Sequence, residues 1–446
     1  MQAWTLMTKK IKLISLGCSK NKVDSEHLLR QIFSTGIIVS PEEEELMGAW
    51  VNTMIINTFG FIKDAKKESI DAIFSAVDAK QRGYIEKIFV FGCLSQRYSQ
   101  ELKESIPEVD GFFGAFDAKS VLSALGGSWN NSLNNQRYLT TPSHYAYLKI
   151  SEGCDRVCSY CSIPLIRGPH KSVPIESLVY EAGFLAEKGV KELIVVAQDT
   201  TYYGVDLYKK RRIAKLIERL GDVTGIEWIR LLYSYPAAFP EDLLDVIANH
   251  PKVCKYLDIH LQHISDKVLS VMRRSVDGAE TRRIVNKFRE KVPGIVLRTT
   301  MIVGHPGEDK RAFNELLDFV KETRFERLGV FTYSEEEGTY SAQNFKDSIR
   351  QKVKEERCDQ LMEVQSQISL EYNISRIGTK ERVLVDSLND GVLVARSQKE
   401  SPEVDGEILI GADSIQKGVN SENIIGTFVE VEIVKADEYD LLAKII

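Results

Sequence analysis

Three cysteines lie within eight residues of the segment SEGCDRVCSYCSIP (151–164): Cys154, Cys158 and Cys161. Core packing gives no reason for this spacing, whereas thiolates are soft ligands for zinc and iron–sulfur clusters. A structural zinc site needs four ligands, and this loop has no second Cys-x2-Cys unit or histidine close by. Three thiolates would leave one iron of a four-iron cluster open to a reactant. The spacing therefore indicates an iron–sulfur cluster that takes part in chemistry.

The other four of the seven cysteines fall into two kinds. Cys18 follows the apolar segment ISLG and Cys93 follows FVFG, so each comes directly after a predicted strand. Ligands of parallel α/β sheets bind beyond the carboxyl ends of the strands, which makes both cysteines candidates for a site. Cys254 and Cys358 have no partner nearby in the sequence and are expected to be buried or inert.

The pattern of apolar residues divides the chain into three folded regions and a linker. Strands alternate with amphipathic helices in residues 10–125, which predicts an α/β domain with a parallel sheet. Residues 126–143 are rich in Asn, Ser and Gly and are predicted to be a linker. Residues 144–375 resume the alternation with six strands and a trailing helix, which predicts an open partial (β/α)6 barrel with its site at the carboxyl ends of the strands. Residues 376–446 predict a small antiparallel β-barrel, and the alternating segment ERVLVDSLNDGVLVARS, with Asn-Asp-Gly in its middle, predicts a hairpin.

The composition is that of a soluble globular protein of 446 residues, 43% hydrophobic and 27% charged. No apolar run reaches the length of a membrane span, and the N-terminus MQAWTLMTKK is too short and polar for a secretory signal. The net charge of −6 gives no sign of a general nucleic-acid binder. We therefore expect a cytoplasmic protein without a membrane partner.

The motif Cys-x3-Cys-x2-Cys, placed after the first strand of a partial barrel, resembles that of the radical S-adenosylmethionine (SAM) enzymes. The resemblance implies that Cys154, Cys158 and Cys161 hold a [4Fe-4S] cluster whose open iron binds SAM. An electron from the cluster then cleaves SAM to a 5′-deoxyadenosyl radical. This implies an electron donor such as flavodoxin or ferredoxin, while the protein supplies orientation and exclusion of water.

Further segments are similar to the methylthiotransferases within that superfamily: LGCSKNKVDSE, GCLSQRY, YLKISEGCDRVCSYCSIPLIRG, VVAQDTTYYGVDLY, IHLQHISDKVLSVMRR and LRTTMIVGHPGE. The similarity implies an N-terminal domain with its own cluster, the radical SAM barrel and a C-terminal TRAM barrel. The segments QDTTYYGVD and ADEYDLL are most similar to the RimO type. That type uses two SAM molecules per turnover to methylthiolate the β-carbon of an aspartate in small-subunit ribosomal protein S-twelve.

One position departs from the family. Its N-terminal cluster uses three cysteines, one after each of three strands, and Cys18 and Cys93 match the first and third. The second strand is followed by NTFGF (57–61), with Phe59 in the place of the cysteine. Phenylalanine cannot ligate iron, so the second [4Fe-4S] cluster is expected to be labile or absent, or to use another ligand. Sulfur insertion should then be weakened more than radical generation.

Two alternatives remain open at this point. One is a transfer-RNA adenosine methylthiotransferase of the MiaB type, and the other is a non-catalytic iron–sulfur scaffold that docks on ribosomes. Residues 377–446 contain seven Lys or Arg against fourteen Asp or Glu. A barrel that faces RNA should be basic, because neutralised phosphates supply most of the affinity. The acidic segment favours a basic protein partner, such as a ribosomal protein or the small ribosomal subunit, although acidity also serves solubility.

Four further residues are candidates for cofactor binding. Tyr160 occupies the aromatic position before the third cysteine, which in the family lies near the cofactor. Gln198 and Asp199 end the second barrel strand, where radical SAM enzymes bind the amino group of SAM; the alternative is a strand-end cap. Arg298 lies within the fifth strand and is either a partner of the cofactor carboxylate or part of a structural ion pair.

Two histidines and a turn complete the predicted mouth of the barrel. His260 and His263 flank the end of the fourth strand and are expected to be hydrogen-bonding residues. The segment GHPGE (304–308) is a Gly/Pro turn that should shape the mouth. No general acid or base is assigned, because abstraction of a hydrogen atom by a radical does not require one.

Overall fold

The computed structural model describes residues 10–40, 51–411 and 421–446. Most of the polar N-terminal segment discussed above lies outside the described residues. The chain divides into two compact units, the first running to Thr141 and also containing Glu152–Asp155 and Ser162–Lys171, the second containing the rest. In the described part of the chain, no helix is long and apolar enough to cross a membrane.

The first unit is built on a five-stranded parallel sheet. Its elements are β1 (Lys10–Ser15), α1 (Ser19–Ser34), β2 (Ile38–Ser40), β3 (Thr53–Thr58), α2 (Lys63–Gln81), β4 (Lys87–Gly92), α3 (Cys93–Ser105), β5 (Gly111–Phe112) and α4 (Ala118–Ala124). The strand order is β2-β1-β3-β4-β5 and every pairing is parallel, which confirms the predicted α/β fold. The edge strands β2 and β5 are too short to show a periodicity in the sequence.

Helices cover both faces of this sheet, which explains its continuous apolar strands. Met54 and Ile56 pack with α2 on one face, whereas Ile55 between them packs with α1 and α4 on the other. Successive side chains of a strand point to opposite faces, so a strand covered on both sides is apolar throughout.

The predicted linker is packed against α1. It contains a short 3₁₀ helix at Asn131–Leu133. The Gln31 side chain donates to the Asn130 carbonyl oxygen at 2.9 Å, and the Thr140 amide donates to the Glu26 carboxylate at 2.9 Å. Up to Thr140, this polar segment is therefore bound to the first unit by side chains of α1.

The chain between Tyr145 and Ile374 forms the second parallel sheet and its helices. Its elements are β6 (Tyr145–Lys149), β7 (Ser151–Glu152), α5 (Ile163–Arg167), β8 (Lys171–Ser172), α6 (Ile175–Glu187), β9 (Glu192–Val196), α7 (Val205–Tyr208), α8 (Ile213–Gly221), β10 (Trp228–Ser234), α9 (Glu241–Asn249), β11 (Val253–Gln262), α10 (Asp266–Val271), α11 (Gly278–Lys291), β12 (Val296–Val303), α12 (Lys310–Thr323), β13 (Arg327–Thr332), α13 (Tyr340–Asn344) and α14 (Gln351–Ile374). The six predicted strands form one open sheet in the order β6-β9-β10-β11-β12-β13, which confirms the predicted six-stranded architecture.

The C-terminal region is a closed five-stranded barrel. It contains β14 (Lys380–Asn389), β15 (Val392–Arg396), β16 (Ile408–Gly411), β17 (Phe428–Ala436) and β18 (Leu441–Ile445), in the order β14-β15-β16-β18-β17. The predicted hairpin turns at Asp390 and Gly391, both with positive φ. Four of the five strand pairs in the described part of the barrel are antiparallel, which confirms the predicted small β-barrel, and the β16–β18 pair alone is parallel. Five strands cannot alternate in direction around a closed ring, and one pair must therefore be parallel.

A buried ionic cluster connects this barrel to the parallel sheet within the second unit. Glu192 on β9 accepts from Arg230 Nε on β10 at 2.7 Å and from Arg396 Nη1 on β15 at 2.8 Å. All three side chains are almost fully buried. Burial alone would raise the pKa of Glu192, but the two guanidinium groups lower it below its ordinary value. The charges therefore hold each other in ionised form.

We predict that Glu192→Ala lowers the free energy of unfolding by about 3–5 kcal/mol, because it leaves the buried Arg230 guanidinium without its anion and leaves Arg396 with Asp386 alone. The measurement is denaturant unfolding followed by circular dichroism. Glu227→Ala is the matched control, since Glu227 pairs with Arg382 at 3.2 Å on the surface and should cost less than about 1 kcal/mol. Equal losses in the two variants would contradict the assignment of the buried cluster as a structural joint.

Candidate functional site

The carboxyl ends of three neighbouring strands in the first unit carry two cysteines and a phenylalanine. Cys18 lies three residues beyond β1 and precedes α1, Phe59 follows β3 directly, and Cys93 follows β4 as the first residue of α3. The register pairs the end of β1 with that of β3, and the end of β3 with that of β4. Parallel pairing therefore brings Cys18, Phe59 and Cys93 to one edge of the sheet.

Cys93 is buried beside a guanidinium that also pairs with two carboxylates. Arg167 Nε donates to Cys93 Sγ at 3.2 Å, while Arg167 Nη1 pairs with Asp24 at 2.9 Å and with Glu152 at 3.1 Å. The Asn21 side-chain oxygen lies 3.7 Å from the same sulfur. Burial raises the pKa of the Cys93 thiol, and the Arg167 guanidinium opposes that rise. A cation beside a sulfur is the environment that a ligating thiolate needs.

Phe59 follows β3, the strand between those that precede the two cysteines, and its ring packs against Gly17. A Cβ on Gly17, the residue before Cys18, would lie 2.5 Å from Phe59 Cγ, so the ring lies directly against the Gly17 backbone. The Phe59 amide donates to the Ser69 hydroxyl at 2.9 Å, which holds the start of this turn. With two thiols and a phenyl ring, these residues do not fit a cluster that is held by three thiolates.

The predicted cluster loop contains three partly exposed thiols. In the second unit, the Cys161 amide donates to the Cys158 carbonyl oxygen at 3.2 Å, and Arg274 Nη1 donates to Cys158 Sγ at 3.3 Å. Cys154 belongs to the first unit, where its amide donates to the Gly168 carbonyl oxygen at 3.1 Å. Within the second unit, the Cys158 and Cys161 sulfurs are partly exposed, and Cys158 faces a guanidinium; such thiols are soft donors of the kind that iron–sulfur clusters use.

No three or more His, Cys, Asp or Glu side chains of the described residues are grouped so that they could hold a metal ion. The assignment of Cys154, Cys158 and Cys161 therefore rests on their spacing in the sequence and on the donor set of the loop.

Gln198 and Asp199 lie just beyond the carboxyl end of β9, and Tyr160 lies on the cysteine loop. The Tyr160 hydroxyl accepts from Arg274 Nη1 at 3.5 Å. Asp199, just beyond β9, is almost fully buried and accepts from Arg156 Nε at 2.8 Å and from Thr201 Oγ1 at 2.6 Å. Gln198, the residue before it, is half-buried. Both Tyr160 and Asp199 thus lie beside an arginine that the sequence analysis did not single out.

Arg298 lies near the start of β12 and is engaged by two carboxylates. Its Nη1 atom is 2.9 Å from Asp258 Oδ1, and its Nε atom is 3.5 Å from Asp405 Oδ1. It also lines a cavity of about 710 Å³ together with Arg327 and Glu403. This arrangement is the structural ion pair that the sequence left open as one of two roles for Arg298.

The two histidines have hydrogen-bonding roles, as expected. His260 Nε2 lies 3.2 Å from Asp258 Oδ2. His263 Nδ1 accepts from the Ser265 amide at 3.0 Å, and its Nε2 atom lies 3.4 Å from Glu308 Oε2. Glu308 belongs to the GHPGE turn and also accepts from the Gly304 amide at 2.8 Å, so this histidine is tied to the turn.

A stack of two arginines and a tyrosine was not anticipated from the sequence. The guanidinium carbons of Arg156 and Arg274 lie 4.1 Å and 4.0 Å from the centre of the Tyr235 ring. Tyr235 comes directly after β10, and that strand-end position was the available signal for it. Arg274 lies within a quoted family motif but 116 residues from Cys158, and spacing alone cannot connect positions so far apart.

Comparison with protein families covers most of the chain. Residues 10–114 match the family described as "Uncharacterized protein family UPF0004", residues 148–320 match the radical SAM superfamily, and residues 377–446 match the TRAM domain. The three matches correspond to the three folded regions described above.

Similar proteins span the same length. The chain is 51% identical to ribosomal protein uS12 methylthiotransferase RimO of Bacteroides fragilis over 438 residues, which is 98% of this chain and 99% of the relative. The proteins of the same name from Bacteroides thetaiotaomicron and Porphyromonas gingivalis are each 50% identical, over 98% of this chain and 98% and 99% of their own.

Solved structures support the fold alone. The radical SAM methyltransferase TsrM of Kitasatospora setae, with tryptophan and a SAM analogue bound, matches with a TM-score of 0.54 at 13% identity. The match covers 91% of this chain and 80% of that chain. The cobalamin-dependent radical SAM enzyme OxsB matches with a TM-score of 0.51 at 12% identity, over 81% and 56% of the two chains.

We predict that Gly17 and Phe59 are energetically coupled. Gly17→Ala should lower the free energy of unfolding by about 3 kcal/mol, because the new methyl group meets the Phe59 ring and the backbone has φ +87°. In a Phe59→Gly background, which also removes the Phe59 Cβ that would lie 2.6 Å from the new methyl group, the loss should fall to about 1 kcal/mol, since the backbone strain remains. Denaturant unfolding of the wild type, the two single variants and the double variant measures the coupling free energy.

Gly36→Ala is the control for this cycle. Gly36 has a similar φ of +82° but no atom within 4 Å of an added Cβ, so its substitution should cost the same in both backgrounds. Equal losses for Gly17→Ala with and without the Phe59 ring would disprove the close contact.

Proposed function

This chain belongs to the RimO family of methylthiotransferases within the radical SAM superfamily, and we propose that it methylthiolates the β-carbon of an aspartate in ribosomal protein uS12 (S-twelve). The observation that carries the proposal is about 50% identity to proteins of that name over nearly the full length of both chains. The three matched regions occur in the same order as the three folded regions. We place the reaction in the cytoplasm, where ribosomes are made.

We assign the radical-generating [4Fe-4S] cluster to Cys154, Cys158 and Cys161. When bound, the cluster and SAM supply a 5′-deoxyadenosyl radical, which is the chemistry of the cofactor. The contribution of the protein is position: Asp199 lies just beyond the carboxyl end of β9, where barrel enzymes bind their ligands, and Tyr160 lies on the cysteine loop.

Tyr160, Gln198 and Asp199 are the proposed SAM-binding residues. The Asp199 carboxylate is paired with Arg156 at 2.8 Å, and we propose that its oxygens also accept from the amino group of SAM. Arg298 is already engaged by Asp258 and Asp405, so we favour the structural role for it. The electron donor is proposed to be a flavodoxin or a ferredoxin.

The charge of the C-terminal barrel supports a protein substrate over RNA. Its sequence has seven basic against fourteen acidic residues, which opposes contact with phosphates and suits a basic ribosomal protein. The transfer-RNA modifying alternative is not favoured, because the relatives that match over the full length are named for ribosomal protein uS12. A non-catalytic scaffold would not need an open iron position.

The N-terminal site is proposed to differ from the rest of the family. Cys18 and Cys93 supply two thiolates at most, and the Phe59 ring lies between their strands. We therefore propose that this site holds no stable three-thiolate cluster. Radical generation would then persist while sulfur insertion is slow.

The substrate proposal predicts a mass gain of about 46 Da on one aspartate of ribosomal protein uS12, the difference between a hydrogen and a methylthio group. Ribosomal proteins would be analysed by mass spectrometry from cells that lack the gene and express the wild-type chain, Phe59→Cys or Cys158→Ala. The modified fraction should be small for the wild type, larger for Phe59→Cys and zero for Cys158→Ala. Unmodified uS12 in cells with Phe59→Cys would contradict uS12 as the substrate.

Iron analysis tests the N-terminal site separately. Anaerobically reconstituted wild-type protein should contain about four irons per chain, the content of one [4Fe-4S] cluster. Phe59→Cys restores a third thiol at the strand end and should raise the count to about eight. Phe61→Cys, which adds a thiol two residues later, is the control and should stay at about four. A wild-type count of about eight would overturn the proposal for this site.

A further inference from the structure

Arg274 places a buried guanidinium against the predicted cluster loop. The residue follows α10 and is 8% exposed. Its Nη1 atom donates to Cys158 Sγ at 3.3 Å and to the Tyr160 hydroxyl at 3.5 Å, and its Nη2 atom donates to the His260 carbonyl oxygen. The side chain thus links the cysteine loop to the end of β11.

The Arg274 guanidinium also stacks on an aromatic ring. The centre of the Tyr235 ring lies 4.0 Å from the guanidinium carbon of Arg274 and 4.1 Å from that of Arg156. Arg156 has its own anion, because its Nε atom is 2.8 Å from the Asp199 carboxylate. An arginine that stacks on a ring and donates hydrogen bonds from both Nη atoms has little freedom to turn away from the sulfur.

Arg274 differs from the other buried arginines in its counter-ion. Arg230 and Arg396 share Glu192, and Arg376 pairs with Glu381 and Glu400. Within the described ranges, no carboxylate pairs with Arg274, and its Nε atom is buried without a hydrogen-bond partner. Its printed contacts are a thiol, a phenol and a carbonyl oxygen. A buried cation needs an anion, and the anion that this environment offers is the Cys158 thiolate with whatever it ligates.

We propose that Arg274 is the counter-ion of the radical-generating cluster and raises its reduction potential through the hydrogen bond to Cys158 Sγ. A positive charge and a hydrogen bond at a ligating sulfur stabilise the reduced cluster, which carries one more negative charge than the oxidised one. One-electron reduction by the external donor thereby becomes more favourable. The inference rests on the assignment of Cys158 as a cluster ligand under the proposed function.

The test is a potentiometric titration of the [4Fe-4S] couple, followed by electron paramagnetic resonance in reconstituted full-length protein without SAM. Every protein in the series carries Cys18→Ser, so that a single cluster is observed. Arg274→Gln should make reduction at least tenfold less favourable, which corresponds to about 59 mV for one electron. Arg274→Lys keeps the charge but loses the forked geometry, and its potential should lie between those of Arg274→Gln and the parent.

Arg273→Gln is the matched control. Arg273 is the adjacent arginine, is exposed and stacks on Tyr340 at 4.4 Å, so its removal takes away the same charge without touching the loop. The equilibrium constant for reduction of the cluster in Arg273→Gln should stay within about twofold of that in the parent protein. An Arg274→Gln protein that carries about four irons and has an unshifted potential would overturn the proposal.

Two further outcomes are decisive. If Arg274→Gln does not retain iron, the reduction potential of Arg274→Lys tests the proposal in its place. If both variants fold but hold no iron, Arg274 acts in cluster assembly and does not tune the potential, which would overturn the proposal.

Cys158→Ala tests separately whether Cys158 is a cluster ligand. If that variant keeps the full iron content and the same resonance signal, Cys158 is not a ligand, and the proposed cluster site fails rather than the role of Arg274 alone.

Discussion

Parallel pairing of strands is the constraint on which both candidate sites depend. Strands that run in one direction end on one edge, so residues far apart in the sequence meet there without any local signal. In the first unit this edge collects Cys18, Phe59 and Cys93. In the second unit the segments after β10 and β11 bring Tyr235 and Arg274 to the cysteine loop. The sheets thus position the candidate residues, which lie in the segments that follow the strands.

Buried charges have two different uses in the second unit. Around Glu192 the guanidinium groups neutralise a carboxylate, and the cluster joins the C-terminal barrel to the parallel sheet. At Arg274 the partner is a sulfur, whose charge depends on what it binds. The cost of burying a cation is the same in both places, but only the second pairing can respond to a redox change.

Phe59 shows that the packing of a fold and the ligands of its site can change independently. The sheet around it is complete, its strands are apolar throughout, and Cys93 keeps its arginine partner. A phenyl ring packs against Gly17 where the sequence resemblance predicts a thiol. A ring can take the place of a thiol in packing, but it cannot ligate iron, and the number of donors decides whether a cluster is held.

The sequence by itself determined the parallel and open sheets, the hairpin at Asp390 and Gly391, the spacing of the cluster cysteines and the departure at Phe59. These features are local, since periodicity reports burial and spacing reports ligand type. The tertiary structure decided the parallel β16–β18 pair, the packing of residues 126–140 on α1, the ion pairs of Arg298 and the contact of Arg274 with Cys158. These depend on which polar groups meet across long stretches of chain, and a buried charge takes its partner from whatever the fold places beside it.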